Sequence, residues 1–382
     1  MRDSRVGYRS RFGGLWTDRD DANVLVEEGR TSGAFTYDEA KQLKHWIEHG
    51  WVALPGAVDP ASCAALREAL ERDRVAGGSG LLAQTPDGVT FPFGPDHVMD
   101  GVRVVDVYWR HERALEILFS SAITAFLRLV FEEPPLLFQG LSFERGSEQG
   151  LHQDTFFVVV DRPLELAAAW IALEDVEAGS GELMYLDRSH EAPEYVFGGD
   201  RKHWNPDVDG PETLAVASQR LVSLATELGF ERRTFLPRQG DVFIWSADLA
   251  HGGSPITRPG TTRASLVGHY CPATARPFYF DSRPERAVTA TWGAGGEAYA
   301  SEWYSLVGES LPTQYLHQLE VQRAEIDQLR GEADALRQAV IDAQRAAAGP
   351  PDPELIAGKD LARALWHRAV SRRKRVLRGR GR

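Results

Sequence analysis

Short apolar runs separated by glycine, proline and aspartate turns dominate the middle of the chain, between about residues 102 and 280. Runs of this length and spacing are typical of β-strands. The predicted strands are residues 104–109, 136–143, 155–160, 166–173, 182–186, 241–245 and 264–270. They do not alternate regularly with helices, as a parallel sheet would require. The pattern therefore predicts a mainly β fold with flanking helices, a double-stranded β-helix of the jelly-roll or cupin-like type.

Helical spacing of apolar residues occurs before and between these strands. The predicted helices are residues 37–49, 60–74, 111–131 and 211–229. Trp51–Leu54 is a short predicted strand that ends at a Pro-Gly pair. Residues 75–101 are rich in glycine, proline and aspartate, which indicates a long loop or lid.

The character of the chain changes after about residue 311. Apolar residues recur at heptad spacing from Tyr315 to Ala343, which predicts a coiled coil and a homo-oligomer formed through residues 315–343. An amphipathic helix folded back on the preceding domain is the alternative, because alanines weaken the heptad seam. The predicted organisation is an N-terminal polar arm (1–36), a jelly-roll domain (37–310), this coiled-coil or amphipathic helix (311–348) and a basic C-terminal tail (349–382).

Composition narrows the class of protein. The 382 residues are 43% hydrophobic and 26% charged, which is ordinary for a globular chain. Cys63 and Cys271 are the only cysteines, so a disulfide framework or a cysteine-rich zinc site is excluded. The start of the chain has no apolar signal region, and these features together indicate a cytoplasmic protein. The net charge of −12 argues against a specific nucleic-acid partner.

Although the net charge of the chain is negative, one segment is strongly basic. Residues 367–382 contain eight arginines and lysines and no acid. Such a segment suits an anionic membrane surface or an acidic partner protein. A solvated tail without a binding role is the alternative.

The segment His152-Gln153-Asp154 carries the first candidate chemistry. In a strand, residues two apart point to the same face, so His152 and Asp154 can bind one metal ion. A third ligand is expected from a distant strand. His251 supplies it, because it follows the apolar run 241–245 and a short turn and precedes a glycine pair. Two histidines and one carboxylate form the facial triad of non-haem Fe(II) oxygenases.

A dicarboxylate cosubstrate also needs a cation at its far end. Arg263 lies at the start of the strand 264–270, and its planar guanidinium can bind a carboxylate with two hydrogen bonds. Arg258 is the competing candidate, but it precedes a Pro-Gly turn. Surface charge is the alternative for either arginine.

These motifs, in this order, resemble the phytanoyl-CoA dioxygenase family of Fe(II)- and 2-oxoglutarate-dependent oxygenases. The resemblance covers about residues 37–281. Its matching segments are Glu48–Gly56, His152–Asp154, Gly179–Leu183, Asp187–His190, Gly240-Asp241, His251–Pro255 and Thr262–Leu266.

The resemblance implies that His152, Asp154 and His251 bind iron and that Arg263 anchors 2-oxoglutarate. It implies that Trp170 lines the cosubstrate pocket and that Gln139 also faces it, with core packing as the alternative for both. The implied activity is hydroxylation of a small organic substrate (a secondary metabolite, sugar or acyl derivative) with O₂, releasing succinate and CO₂. His190 is then expected to be structural or substrate-facing, and His203 and His269 to be packed or surface histidines.

Two other functions fit parts of the same pattern. A non-catalytic, metal-binding jelly-roll module assembled through its C-terminal helix would need no open coordination positions, so it explains less of the site. A zinc hydrolase with the same ligands would need an assigned general base, and the sequence offers no clear candidate near the triad.

Overall fold

The computed structural model describes residues 7–95 and 101–306, together with short helical stretches within residues 331–339. The chain divides into two units, Met1–Leu311 and Pro312–Arg382. All helices and strands named below belong to the first unit. Most of the predicted coiled coil (315–343) and the whole basic tail (349–382) lie outside the described residues.

Seven α-helices and thirteen strands make up the described part of the first unit. The helices are α1 (Ala22–Ser32), α2 (Tyr37–His49), α3 (Pro60–Ala76), α4 (Glu112–Leu118), α5 (Ser121–Phe131), α6 (Pro211–Leu228) and α7 (Tyr279–Ser282). The strands are β1 (Trp51–Leu54), β2 (Leu82–Gln84), β3 (Thr90–Pro92), β4 (Arg103–Val105), β5 (Pro135–Phe143), β6 (Ala167–Ala172), β7 (Leu183–Leu186), β8 (Arg232–Phe235), β9 (Val242–Ser246), β10 (His251–Gly253), β11 (Ser265–Pro272), β12 (Ala290–Trp292) and β13 (Glu297–Tyr299).

Two sheets form the core of the described residues. The ten-stranded sheet has the order β1-β9-β6-β11-β5-β4-β2-β3, with β13 beside β5 and β12 beside β13. The three-stranded sheet has the order β10-β7-β8. All these pairings are antiparallel except that of β13 with β5. The predicted double-stranded β-helix with flanking helices is confirmed.

The two sheets face each other across an aromatic core. Trp170, Phe243 and Trp245 project from the large sheet and pack with Leu183 and Tyr185 of the small one. On the opposite face of the large sheet, the hydroxyl of Tyr270 donates to the carbonyl of Leu118 at the end of α4. Helices therefore cover the outer face, and the inner face is left to carry the site.

The prediction of a strand at residues 155–160 is wrong. Asp154–Phe156 is a 3-10 helix, and the N–H groups of Phe157 and Val158 both donate to the carbonyl of Asp154. This closed turn keeps the backbone out of any sheet, although the side chains are as apolar as those of a strand.

The glycine-rich segment 75–101 and the N-terminal arm also contain elements that their composition does not predict. β2 and β3 form a short hairpin within the predicted loop. In the arm, α1 buries Val26 and packs against α2. The predicted strand 104–109 ends at Val105, because Asp106 adopts a positive φ of 44° and starts a 3-10 helix.

Asp106 gives the fold a dependence on pH. Its carboxylate accepts from the Gly140 N–H and the Ser301 hydroxyl, both at 2.6 Å, and burial raises its pKa to about 7. Because the pKa of Asp106 is higher in the folded than in the unfolded protein, its protonated carboxyl group stabilises the fold. This stabilisation is complete below the unfolded-state pKa near 4 and is lost as the pH rises to about 7.

Asp106→Asn is therefore expected to abolish the loss of folding stability with rising pH, because an amide stays neutral. Asparagine also tolerates a positive φ. Relative to wild type, the variant should gain stability between pH 4.5 and 7.5, by on the order of 3 kcal/mol or less. Urea unfolding at both pH values measures this gain. The control is Asp207→Asn, because Asp207 is exposed. If the difference in free energy of unfolding between Asp106→Asn and wild type did not change with pH, the assignment to Asp106 would be contradicted.

No single described helix is long and apolar enough to cross a membrane. α4 and α5, which are bent by 55° at their junction, reach that length and apolarity only as a pair. Both helices bury apolar residues within the protein.

Candidate metal centre

The segments that carry His152 and His251 lie side by side. The two residues form an antiparallel bridge in which each backbone N–H donates to the other's carbonyl at 2.9 Å. His251 opens β10, as the prediction of a ligand on a distant strand requires. Asp154 enters the same site from the start of its 3-10 helix instead of from a strand. One nitrogen or oxygen of each of the three side chains lies within 4.8 Å of the others.

Hydrogen bonds prepare both imidazoles as ligands. Nδ1 of His152 lies 2.8 Å from the Gly150 carbonyl, and Nδ1 of His251 lies 2.9 Å from the Leu249 carbonyl. A carbonyl only accepts, so Nδ1 carries a proton in both rings, and Nε2 is the nitrogen that can bind a metal ion. Burial lowers the pKa of His152 to about 4, which keeps its ring neutral. Neutral imidazole is the form that binds a metal ion.

Asp154 is held so that one oxygen remains free. Trp245 Nε1 donates to Oδ2 at 2.7 Å, and His269 Nε2 lies 3.5 Å from the same oxygen. Oδ1 lies 3.6 Å from His251 Nε2. Burial by itself raises the pKa of Asp154, but His251 and His269 outweigh it and hold the pKa below its usual range. The group is therefore a carboxylate that presents Oδ1 as a single ligand atom.

His269 was expected to be an ordinary packed or surface histidine, and its contact with Asp154 was not predicted. It belongs to β11, two residues beyond Val267 and six beyond Arg263. The period of two along a strand, counted from Arg263, places His269 on the same face, and this signal could have identified it.

Trp245→Phe should weaken iron binding about 10- to 100-fold, since it removes the donor that orients Asp154. Calorimetric or chelator-competition measurement of iron affinity checks this. The matched control is Trp46→Phe, because Trp46 is also buried and donates from Nε1 to a side-chain oxygen, that of Thr17. If both variants lost the same iron affinity, the cause would be a general loss of packing and not the hydrogen bond from Trp245 to Asp154.

Asp248 ties the two ligand-bearing segments together. Its carboxylate accepts from the Thr155 hydroxyl at 2.8 Å, and its carbonyl accepts from the Gln153 side chain at 2.7 Å. Lys202 Nζ lies 2.7 Å from the other carboxylate oxygen, and the Lys202 side chain is 1% exposed. Residues 200–205 suggest a solvated loop or a substrate loop by composition, but Lys202 is instead a buried partner of the metal-binding turn.

Arg263 is buried on the inner side of the large sheet. Its Nε donates to the Gly181 carbonyl at 3.0 Å and a terminal nitrogen donates to Ser265 Oγ at 2.8 Å. Among the described residues it makes no ion pair, and burial lowers its pKa to about 10. The guanidinium carbon lies 5.4 Å from the centre of the Trp170 ring. The site therefore contains a buried positive charge that Glu182 and Glu174 attract without forming an ion pair with it.

The remaining candidates separate into inner-face and surface residues. Gln139 is half-buried on β5 as the register partner of His269, which places it on the inner face. Arg258 is half-exposed and pairs with Glu177 at the surface. His190 packs against Gly50, whose φ of 78° ends α2, and its Nε2 lies 3.1 Å from the Ile47 carbonyl. His190 is thus structural, and His203 is partly buried outside the triad.

A family model described as phytanoyl-CoA dioxygenase (PhyH) matches residues 46–264. The chain is also similar to the solved epimerase SnoN in complex with Fe³⁺, alpha ketoglutarate and nogalamycin RO, at 20% identity and a TM-score of 0.49, covering 71% of this chain and 96% of that one. It is similar as well to the solved EctD from S. alaskensis with bound Fe, at 16% identity and a TM-score of 0.44, covering 61% of this chain and 76% of that one. No curated protein matches the chain.

Proposed function

Because this chain belongs to the phytanoyl-CoA dioxygenase family and is an Fe(II)- and 2-oxoglutarate-dependent oxygenase, we propose that His152, Asp154 and His251 bind the iron. We further propose that the reaction is hydroxylation of a small organic substrate. The observation that carries the proposal is the paired set of Nδ1 hydrogen bonds, which leaves both Nε2 atoms free beside the single free oxygen of Asp154. Two imidazoles and one carboxylate leave coordination positions open for cosubstrate and O₂.

Iron with 2-oxoglutarate supplies the oxidative chemistry, in which O₂ is consumed and succinate, CO₂ and hydroxylated product are released. The protein's own residues position these partners. Asp248 joins the turn before His251 to the segment that carries His152 and Asp154. Trp245 and His269 hold Asp154 in one orientation.

Arg263 is the proposed anchor of the 2-oxoglutarate carboxylate remote from the iron. Its burial and its lack of an acidic partner among the described residues support this role, because a buried guanidinium favours binding of a carboxylate. Trp170 lies beside the guanidinium and is proposed to line the cosubstrate pocket. Gln139 is proposed to face the same space from β5.

The rival to this proposal is a non-catalytic, metal-binding jelly-roll module. Arg263 distinguishes the two, since a structural metal site needs no buried arginine without an ion-pair partner on the inner side of the sheet. Incubation of iron-reconstituted protein with a metabolite library, monitored by succinate release, tests the proposal. We expect a subset of metabolites to stimulate succinate formation and to gain one oxygen atom by mass spectrometry. Stimulation without any oxygenated product would contradict hydroxylation.

For the C-terminal region, we propose a coiled coil over residues 315–343 that forms a homo-oligomer, in a cytoplasmic protein. The basic residues of 367–382 would then be presented in several copies, so that weak single contacts add up.

The full chain is therefore expected to co-sediment with anionic vesicles at low salt and to be released at high salt, with each surface cation contributing about 1 kcal/mol. A chain truncated after Pro350 should stay in the supernatant under both conditions. Binding of the truncated chain would contradict the role of the tail. Binding of neither chain would exclude the membrane surface and make the tail a solvated segment without a binding role.

A further inference from the structure

Arg103 is a second arginine on the inner face of the large sheet. It lies on β4, where its register partners are Phe143 on β5 and Gln84 on β2. Phe143 belongs to the core between the sheets, and residues in register on neighbouring antiparallel strands point to the same face. The next residue, Val104, pairs with Ser142 and points the opposite way. Arg103 therefore shares a face with Phe143, Val267 and His269.

The charge of Arg103 is not neutralised by any described residue. Its Nε and one terminal nitrogen both donate to the amide oxygen of Gln84, at 2.9 and 2.7 Å. An amide carries no charge, and Arg103 makes no ion pair among the described residues. Burial is the cause that lowers its pKa. Burial of a cation that contacts only a neutral group costs free energy, and a bound anion would offset that cost.

Arg103 and the proposed cosubstrate anchor lie on opposite sides of Phe143. The guanidinium carbon of Arg263 is 5.8 Å from the centre of the Phe143 ring. Arg103 stands one strand away on the other side, so its backbone is about 10 Å from β11 by the spacing of strands in a sheet. Arg263 can thus hold the cosubstrate while Arg103 stays available for a different anion. Gln139 and Leu141 lie between Arg103 and His269 on this face.

We propose that Arg103, oriented by Gln84, binds a carboxylate or phosphate group of the primary substrate. The substrate class is therefore an anionic small molecule whose charged end lies remote from the carbon that reacts. This inference rests on the proposed function, because it takes the triad to hold the iron and Arg263 to hold the cosubstrate.

The test compares wild type with Arg103→Gln, Gln84→Ala, Arg263→Gln and the surface control Arg258→Gln, all as full-length chains. Inorganic phosphate is the probe, titrated by calorimetry. The 2-oxoglutarate KM of substrate-independent succinate formation is measured on the iron-reconstituted proteins with ascorbate as the reductant. Thermal unfolding of each variant is recorded alongside.

Arg103→Gln should weaken phosphate binding at one site at least about tenfold, as expected for loss of a charged hydrogen-bond donor pair. Gln84→Ala should have a smaller effect in the same direction, and Arg258→Gln should have none. The 2-oxoglutarate KM should change in Arg263→Gln and not in Arg103→Gln. The unfolding temperature of Arg103→Gln should not fall, because no described acid loses its partner.

Unchanged phosphate binding in Arg103→Gln would overturn the proposal, and so would a lower unfolding temperature with unchanged binding, which would make Arg103 structural. A raised 2-oxoglutarate KM in Arg103→Gln would assign the anion to the cosubstrate instead. Absence of succinate formation from the wild type would refute the proposed function alone, since phosphate binding is measured without turnover.

Discussion

Replacement of His152, Asp154 or His251 by alanine is expected to abolish iron binding and 2-oxoglutarate turnover while the fold survives. Each side chain supplies one of three ligand atoms within 4.8 Å of one another. Loss of an outer partner of a ligand typically costs 10- to 100-fold in metal affinity, so loss of a ligand itself should cost more than about 100-fold. Bound iron and succinate formation are the two measurements.

His203→Ala is the control for the triad variants, because His203 lies outside the group of residues that could hold the ion. It should retain iron and activity. Circular dichroism should show the same secondary structure in all four variants. Any triad variant that kept wild-type succinate formation would lose its assignment as a ligand.

Arg263→Ala should raise the 2-oxoglutarate KM by at least about 100-fold, since breaking a buried charge pair costs about 3 kcal/mol or more. Arg263 is 4% exposed, so water cannot replace the lost partner well. Arg258→Ala is the matched control. Arg258 is half-exposed and paired with Glu177, and its loss should leave KM unchanged. The reverse ranking would move the carboxylate anchor to Arg258.

The parts of the site that follow from local sequence were predictable. The spacing of His152 and Asp154 and the strand-turn context of His251 identify three residues that the structure brings together. The jelly roll also follows from the pattern, since short strands without regular helical alternation leave few other architectures.

What could not be predicted depends on contacts between distant segments. The run 155–160 has strand-like side chains, yet hydrogen bonds to Asp154 and Asp248 turn it away from the sheet. Lys202 lies in a polar sequence, and only its pairing with Asp248, 46 positions along the chain, explains its burial. The role of Trp245 likewise requires knowing that Asp154 lies opposite it.

Arg103 likewise could not be identified from its local sequence. Its neighbours in sequence are apolar and give no sign of chemistry, whereas the register of β4 with β5 and β2 places it beside Phe143 and Gln84. Strand pairing sets which side chains share a face, and register is not encoded within one strand.

The most direct test of the iron- and 2-oxoglutarate-dependent activity compares the full-length protein loaded with Fe(II) and with Zn(II), incubated with 2-oxoglutarate, O₂ and ascorbate but without added substrate, so that ascorbate reduces the second oxygen atom to water. Zinc accepts the same ligands but has no redox chemistry. The iron-loaded protein is expected to form succinate and CO₂ in equal amounts, and the zinc-loaded protein to form neither. Iron-loaded protein that holds its metal yet leaves 2-oxoglutarate unconsumed would contradict the assignment.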